Sequence, residues 1–163
     1  MFKSSILKRN AVPPLFWVLA FCLLIELCFH IPLFCPVNLT LFIPSVALYI
    51  ASLSIVLVGA SVILAGAYLF KKHQTTVNPM HPEHSSALVQ TGVYSVTRNP
   101  MYLGMLLIIL AYLLLRFSFV GLVLPIVFVF LMTHKQIKPE EEMLAKLFGD
   151  TYLQYLQRVR RWL

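Results

Sequence analysis

An apolar run from about Pro14 to Phe34, and a second from about Pro44 to Phe70, leave this chain few ways to fold, because neither carries enough polar side chains to give a helix a wet face. Each is long enough to cross a hydrocarbon core of about 30 Å. Two shorter runs follow, Met101 to Leu115 and about Phe119 to His134. Arg116, Phe117 and Ser118 separate them, and the pair reads as a tight helical hairpin, tilted or spanning a thinned bilayer. With 60% hydrophobic and 12% charged residues, the composition lies outside that of a soluble domain. The expected fold is an all-α integral membrane protein forming one domain over residues 1–163. It would have about four transmembrane helices (14–34, 44–70, 101–115 and 119–134), a polar loop at 71–100 and a polar tail at 135–163. The first run does not read as a cleavable signal, being too long and lacking a small-residue cleavage site.

The basic residues orient this scheme. Lys3, Lys8 and Arg9 precede the first run, Lys71, Lys72 and Arg98 lie between the second and third, and the other cations except Arg116 follow the fourth. Lysine and arginine in short loops stay on the cytoplasmic side, so both termini and the 71–100 loop are expected in the cytoplasm, with a bacterial inner membrane as the expected location. The net charge of +7 reflects this asymmetry and an attraction to anionic headgroups. No nucleic-acid motif accompanies it. Cys22, Cys28 and Cys35 form no metal or disulfide pattern. His81, Glu83 and His84 in MHPEHSS lack a helical metal-binding frame, so no metal is expected.

Chemistry, if present, belongs to the loop and tail. In TGVYSVTRNPMYLG, Thr91 to Gly104, Asn99 and Pro100 have the form of an N-cap and first helical residue. The third span would start there and present its amides beside Arg98 to an anion. A capped helix with a snorkelling arginine and an interfacial tyrosine explains the same residues without any ligand. In the tail, Pro139 suits a helix start that places Glu140, Glu141 and Glu142 in an opening turn. Gly149 would end that helix, and Asp150 would cap the next, whose Tyr152, Tyr155, Leu156 and Val159 share a face. The two would lie on the membrane, rimmed by Arg158, Arg160, Arg161 and Trp162. Glu26 is costly inside a span and needs a partner; a helix-packing role is expected for it.

The run Gly92-x-Tyr94-x-x-x-Arg98-Asn99-Pro100-x-Tyr102-x-Gly104, followed by Glu140-Glu141-x-x-Leu144-x-x-x-Phe148-Gly149-x-x-Tyr152-x-x-Tyr155-x-x-Arg158-Val159, resembles the integral-membrane isoprenylcysteine carboxyl methyltransferase and phospholipid methyltransferase family, in its bacterial-type form. The likeness spans roughly residues 65–163, including Thr75 to Pro79. Two departures stand out. Asn99 occupies a position held by histidine in the eukaryotic prenylcysteine enzymes, and the proline that usually follows Arg-Val is Arg160.

The resemblance implies that S-adenosylmethionine binds at the cytoplasmic membrane face and leaves as S-adenosylhomocysteine. It implies cofactor contacts at Gly92, Tyr94, Asn99, Pro100, Tyr102, Leu103, Glu140 and Glu141, catalytic roles for Arg98 and Glu141, and acceptor contacts at Arg98 and Arg158. The acceptor would be a membrane lipid or a prenylated or other small amphiphile reached through the bilayer. Consistent with this, the six glycines never form the G-x-G of a dinucleotide fold. Two other classes compete: an NADPH-dependent membrane reductase of the sterol or enone type, and a small membrane protein without enzymatic activity. A channel would line its spans with polar groups, yet Glu26 is the lone charge within one.

Overall fold

A computed structural model describes residues 13–30, 44–73, 87–116 and 120–163. Thr75 to Pro79, Cys35, the His81–His84 stretch and the turn residues Phe117 and Ser118 lie outside them.

Within the described residues the chain is all-helical, with no strand beyond one isolated bridge. Helix α1 is Pro14–His30 and α2 is Ser45–Lys72. A short 3₁₀ turn, Gly92–Ser95, leads to α3, Pro100–Leu115. Another, Val120–Leu122, leads to α4, Val123–Met132. Then come α5, Lys138–Phe148, and α6, Asp150–Arg158. Helix α2 is long and apolar enough to cross a membrane, at about 42 Å for 28 residues. Helices α1 and α3 are apolar but shorter.

The expected break between the fourth apolar run and the tail does not exist. Met132, Ile137 and Lys138 all hold right-handed helical angles, so the backbone runs as one rod from α4 through a π-turn, Thr133–Ile137, into α5. Pro139 accounts for the turn. Its nitrogen donates nothing, and its ring crowds the carbonyl four residues back, so one wide turn, closed by Lys138 N–H onto Thr133 O, absorbs the misfit. The glutamates therefore follow a bulge inside a helix rather than a free helix start. The true corner is Gly149, whose φ of +53° suits glycine and lets the chain reverse into α6. Gly149, and not Asp150, holds the N-cap position of α6.

The core is dry. Val18, Phe21 and Ile25 of α1 pack with Met105, Ile109 and Leu113 of α3 and with Phe128 and Met132 of α4. Phe21 meets Phe128 edge to face with ring centroids 5.4 Å apart. The other side of α1 turns Leu15, Phe16, Leu19, Leu23 and Leu27 outward, all more than half exposed, as a lipid-facing helix would. Helices α2 and α3 approach backbone to backbone. A Cβ on Gly104 would lie 2.5 Å from the carbonyl oxygen of Gly59, so only glycine permits this crossing. The crossing fixes where α3 begins, and with it the loop residues just before it.

Glu26 finds the partners that an acid in an apolar helix requires. Tyr112 Oη donates to it at 2.5 Å, Arg116 Nε lies 3.2 Å away and His30 Nε2 3.0 Å away. This ties α1 to the end of α3, as a packing role demands.

Candidate functional site

The start of α3 is built by the loop before it. Gly92 opens the 3₁₀ turn against Leu69 of α2. Tyr94 is buried against α2, its ring 5.2 Å from that of Phe70 and its hydroxyl near Gly66. Pro100 takes the first helical position, as expected from the sequence, and is fully buried. Asn99 holds the N-cap place, but its side chain does not cap. Its Nδ2 donates instead to the carbonyl of Arg161, at 2.9 Å. Leu103 lies in the first turn, partly buried, its N–H bonded to Asn99 O.

After α6 the chain returns as an extended strap, residues 159–163, laid parallel to residues 97–99. Arg98 N–H donates to Arg160 O at 3.0 Å, and Thr97 Oγ1 donates to Arg161 O at 3.2 Å. Trp162 closes the strap by donating to Thr133 Oγ1 within the π-turn, at 3.1 Å. Below, Tyr155 Oη donates to Tyr94 O at 2.7 Å and docks α6 against the loop.

Two carboxylates of α5 meet this frame. Glu141 receives Arg98 Nη2 at 2.8 Å and Arg161 through Nε at 3.0 Å and Nη2 at 2.6 Å. Glu140 receives Tyr102 Oη and Gln136 Nε2, both at 2.7 Å on the same oxygen. Arg98 does not snorkel. Its side chain is 9% exposed, and Nη1 donates to the carbonyls of Leu156 and Val159, at 3.1 and 2.7 Å. A long cation snorkels when its tip can reach water; here α6 and the strap cover the tip and supply the acceptors themselves. Arg98 Nε is buried and has no hydrogen-bond partner among the described residues. Arg158 stands outside the cluster, exposed, with Nη2 donating to Gln90.

The electrostatics follow from burial and pairing. Burial pushes the Glu141 carboxyl up, but the hydrogen bonds from Arg161 and Arg98 outweigh it and hold the group below the usual carboxylate range. Its bond raises the Arg161 guanidinium in turn. Burial, with Tyr155 and Glu140 nearby, drives the Tyr94 phenol well above its ordinary value, and burial with Glu141 does the same to Tyr152. Tyr155 is pushed up to about 12 by burial, with Arg98 opposing. All three stay neutral near pH 7, and the Tyr155 hydroxyl serves as a hydrogen-bond donor.

The structure thus brings together Arg98, Asn99, Pro100, Tyr102, Glu140 and Glu141. Gly92 and Tyr94, in the 3₁₀ turn, brace the loop against α2, and Arg158 is apart. Sequence reasoning left out Gln136, Thr97 and Thr133, and treated Arg161 and Trp162 as part of a membrane-facing rim. Gln136 precedes Glu140 by one helical turn, a signal that a continuous helix would have exposed. The family pattern ends on Arg158 and Val159, and nothing in the sequence marks Arg161 off from Arg160.

Residues 47–151, well over half of the chain and including α3, α5 and the loop between α2 and α3, match the family described as phospholipid methyltransferase. This chain belongs to that family. Family membership and the length and apolarity of α2 both fit a membrane methyltransferase with a lipid-like substrate. A relative from Haemophilus influenzae (strain ATCC 51907 / DSM 11121 / KW20 / Rd), an uncharacterized protein, is 43% identical over 63 residues, which is 39% of this chain and all of the relative. No solved structure matches the chain.

Proposed function

We propose that this family member moves a methyl group from S-adenosylmethionine to an amphiphilic acceptor at the cytoplasmic face of the membrane, with S-adenosylhomocysteine as the second product. The carrying observation is the convergence of Arg98, Tyr102, Glu140 and Glu141, partly or fully buried, where the start of α3 meets α5 under the strap. The donor set suits the methyl donor. The buried, unpartnered Arg98 Nε offers an N–H to a carboxylate, Glu140 offers a carboxylate to an ammonium, and the Asn99 amide and the Tyr94 and Tyr102 rings are groups an adenine can meet.

Bound there, S-adenosylmethionine supplies a sulfonium methyl, an electrophile that needs no metal or acid. The chain's part is to orient and to exclude water. Arg98 and Glu141 hold the strap closed, Tyr102 and Gln136 hold Glu140 in place, and Tyr155 docks α6 over the loop. Four crossings, both termini in the cytoplasm and an inner-membrane location complete the reading, supported by the apolar surfaces and the placement of the cations. Arg158, at the edge, is assigned to the acceptor. That acceptor is a membrane lipid or a prenylated small molecule entering from the bilayer.

Calorimetric titration of detergent-purified protein with S-adenosylmethionine and with NADPH tests the donor. Binding of the first alone is expected; binding of NADPH alone would replace methyl transfer by reduction. Among acceptors, each added methylene should improve the specificity constant by about fourfold until the chain is fully buried, from about 0.8 kcal/mol per buried methylene. Equal rates for the headgroup and the full lipid would remove entry from the bilayer. A reporter fused after Leu163 should read as cytoplasmic, and a reading on the other side would overturn the orientation.

A further inference from the structure

Glu141 is faced from three directions. Arg98 comes from the loop, Arg161 from the strap and Tyr152 from α6, with Glu140 beside it on α5. The contacts of the two arginines differ. Arg161 spans the carboxylate, Nε on one oxygen and Nη2 on the other, whereas Arg98 reaches a single oxygen through one terminal nitrogen and spends the other on Leu156 and Val159. The planar fork of Arg161 therefore sets the plane of the carboxylate, and Arg98 meets whatever that plane presents.

We infer that Arg161 is a positioning residue of the site, gripping both oxygens of Glu141 and so fixing the geometry in which Arg98 meets that carboxylate. This rests on the reading that Arg98 and Glu141 belong to the methyl-donor site. Arg161 can do this because the strap is pinned on either side of it, by the Arg98–Arg160 backbone bond and by Trp162 on Thr133, and because its own carbonyl is held by Thr97 and Asn99. The arginine three residues earlier, Arg158 of the family pattern, points to Gln90 and cannot substitute. A lysine at 161 keeps the charge but presents a point donor that cannot span two oxygens.

The test is calorimetric binding of S-adenosylhomocysteine to the detergent-purified full chain, together with the pH dependence of its thermal midpoint. Arg161→Gln should weaken binding about tenfold near pH 7, the loss of a charge-assisted pair. Arg161→Lys should recover only part of this, and Lys146→Gln, which removes one exposed cation from α5, the helix of Glu141, should change nothing. The pH limb separates positioning from mere packing. A depressed carboxyl adds stability above its unfolded-state value and loses it as pH falls through its folded-state value. Without Arg161 the burial of Glu141 is opposed by Arg98 alone, so the acid-side fall in midpoint should begin at higher pH than in the native chain. Native-like binding in Arg161→Gln, full rescue by lysine, or coincident acid limbs would each overturn the inference. If the native chain binds no S-adenosylhomocysteine, the proposed function fails, and the acid limbs still decide whether Arg161 governs Glu141.

Discussion

The two ends of the helix bundle carry the same chemistry to different ends. At one, Glu26 joins Tyr112, Arg116 and His30; at the other, Glu141 joins Arg98 and Arg161. Both are carboxylates paired with arginine, yet their surroundings differ. Arg116 is 44% exposed and stacks over Phe29, and the cluster stitches α1 to α3. Arg98 is 9% exposed and is covered by α6 and the strap, with backbone carbonyls from both taking its second nitrogen. An ion pair at the rim of two spans keeps part of its hydration, whereas one covered by α6 and the strap must find its partners within the protein. Burial of the cation, more than the presence of the pair, distinguishes the candidate site from the Glu26 cluster.

The comparison breaks most sharply at Glu141. Glu141→Ala leaves the Arg98 guanidinium buried without its counter-charge and should destabilise the protein by about 3–5 kcal/mol in thermal or denaturant unfolding. A loss below about 1 kcal/mol would mean that Arg98 reaches water and that the two clusters are alike.

Between the two ends lies the crossing that holds them apart. In Gly104→Ala the new methyl would meet Gly59 O and Ile63 Cγ1, both at 2.5 Å, and α2 and α3 must separate. A cost of about 1–3 kcal/mol is expected, with methyl-donor affinity falling too, since α3 carries Tyr102 into the site. Lowered stability with unchanged affinity would uncouple the crossing from the site.

The smallest effect belongs to Glu26. Glu26→Gln removes the charge but keeps an acceptor for Tyr112, and with Arg116 nearly half exposed the loss should be about 0.5–1 kcal/mol, with methyl-donor binding unchanged. A binding defect in this variant would show that the distant cluster reports to the site after all.

Much of this was legible in advance. The apolar runs mark α1 to α4, the Asn99-Pro100 step marks the start of α3, and Gly149 marks the corner before α6. Partners of Glu26 could be demanded though not named. The continuous rod through Pro139 was not legible, because a proline suits either a helix start or a bulged helix, and packing on both flanks decides between them. Asn99 kept its place in the helix while its amide went to Arg161 O, since a strap from the far end of the chain offered a better acceptor than the local turn.

The sequence by itself determined the class of protein, the apolar helices and the family, because these depend on composition, local backbone chemistry and the spacing of motif residues. Only the tertiary structure decided which charges meet. Arg98 and Glu141 stand 43 residues apart and Arg161 and Glu141 20 apart, and α5, Gly149 and α6 must fold back before either pair forms. Much of what holds Arg98 is backbone carbonyl, at Leu156 and Val159, and every residue carries a carbonyl. A side chain's identity can be read along the chain, but a partner common to all residues is chosen by position alone.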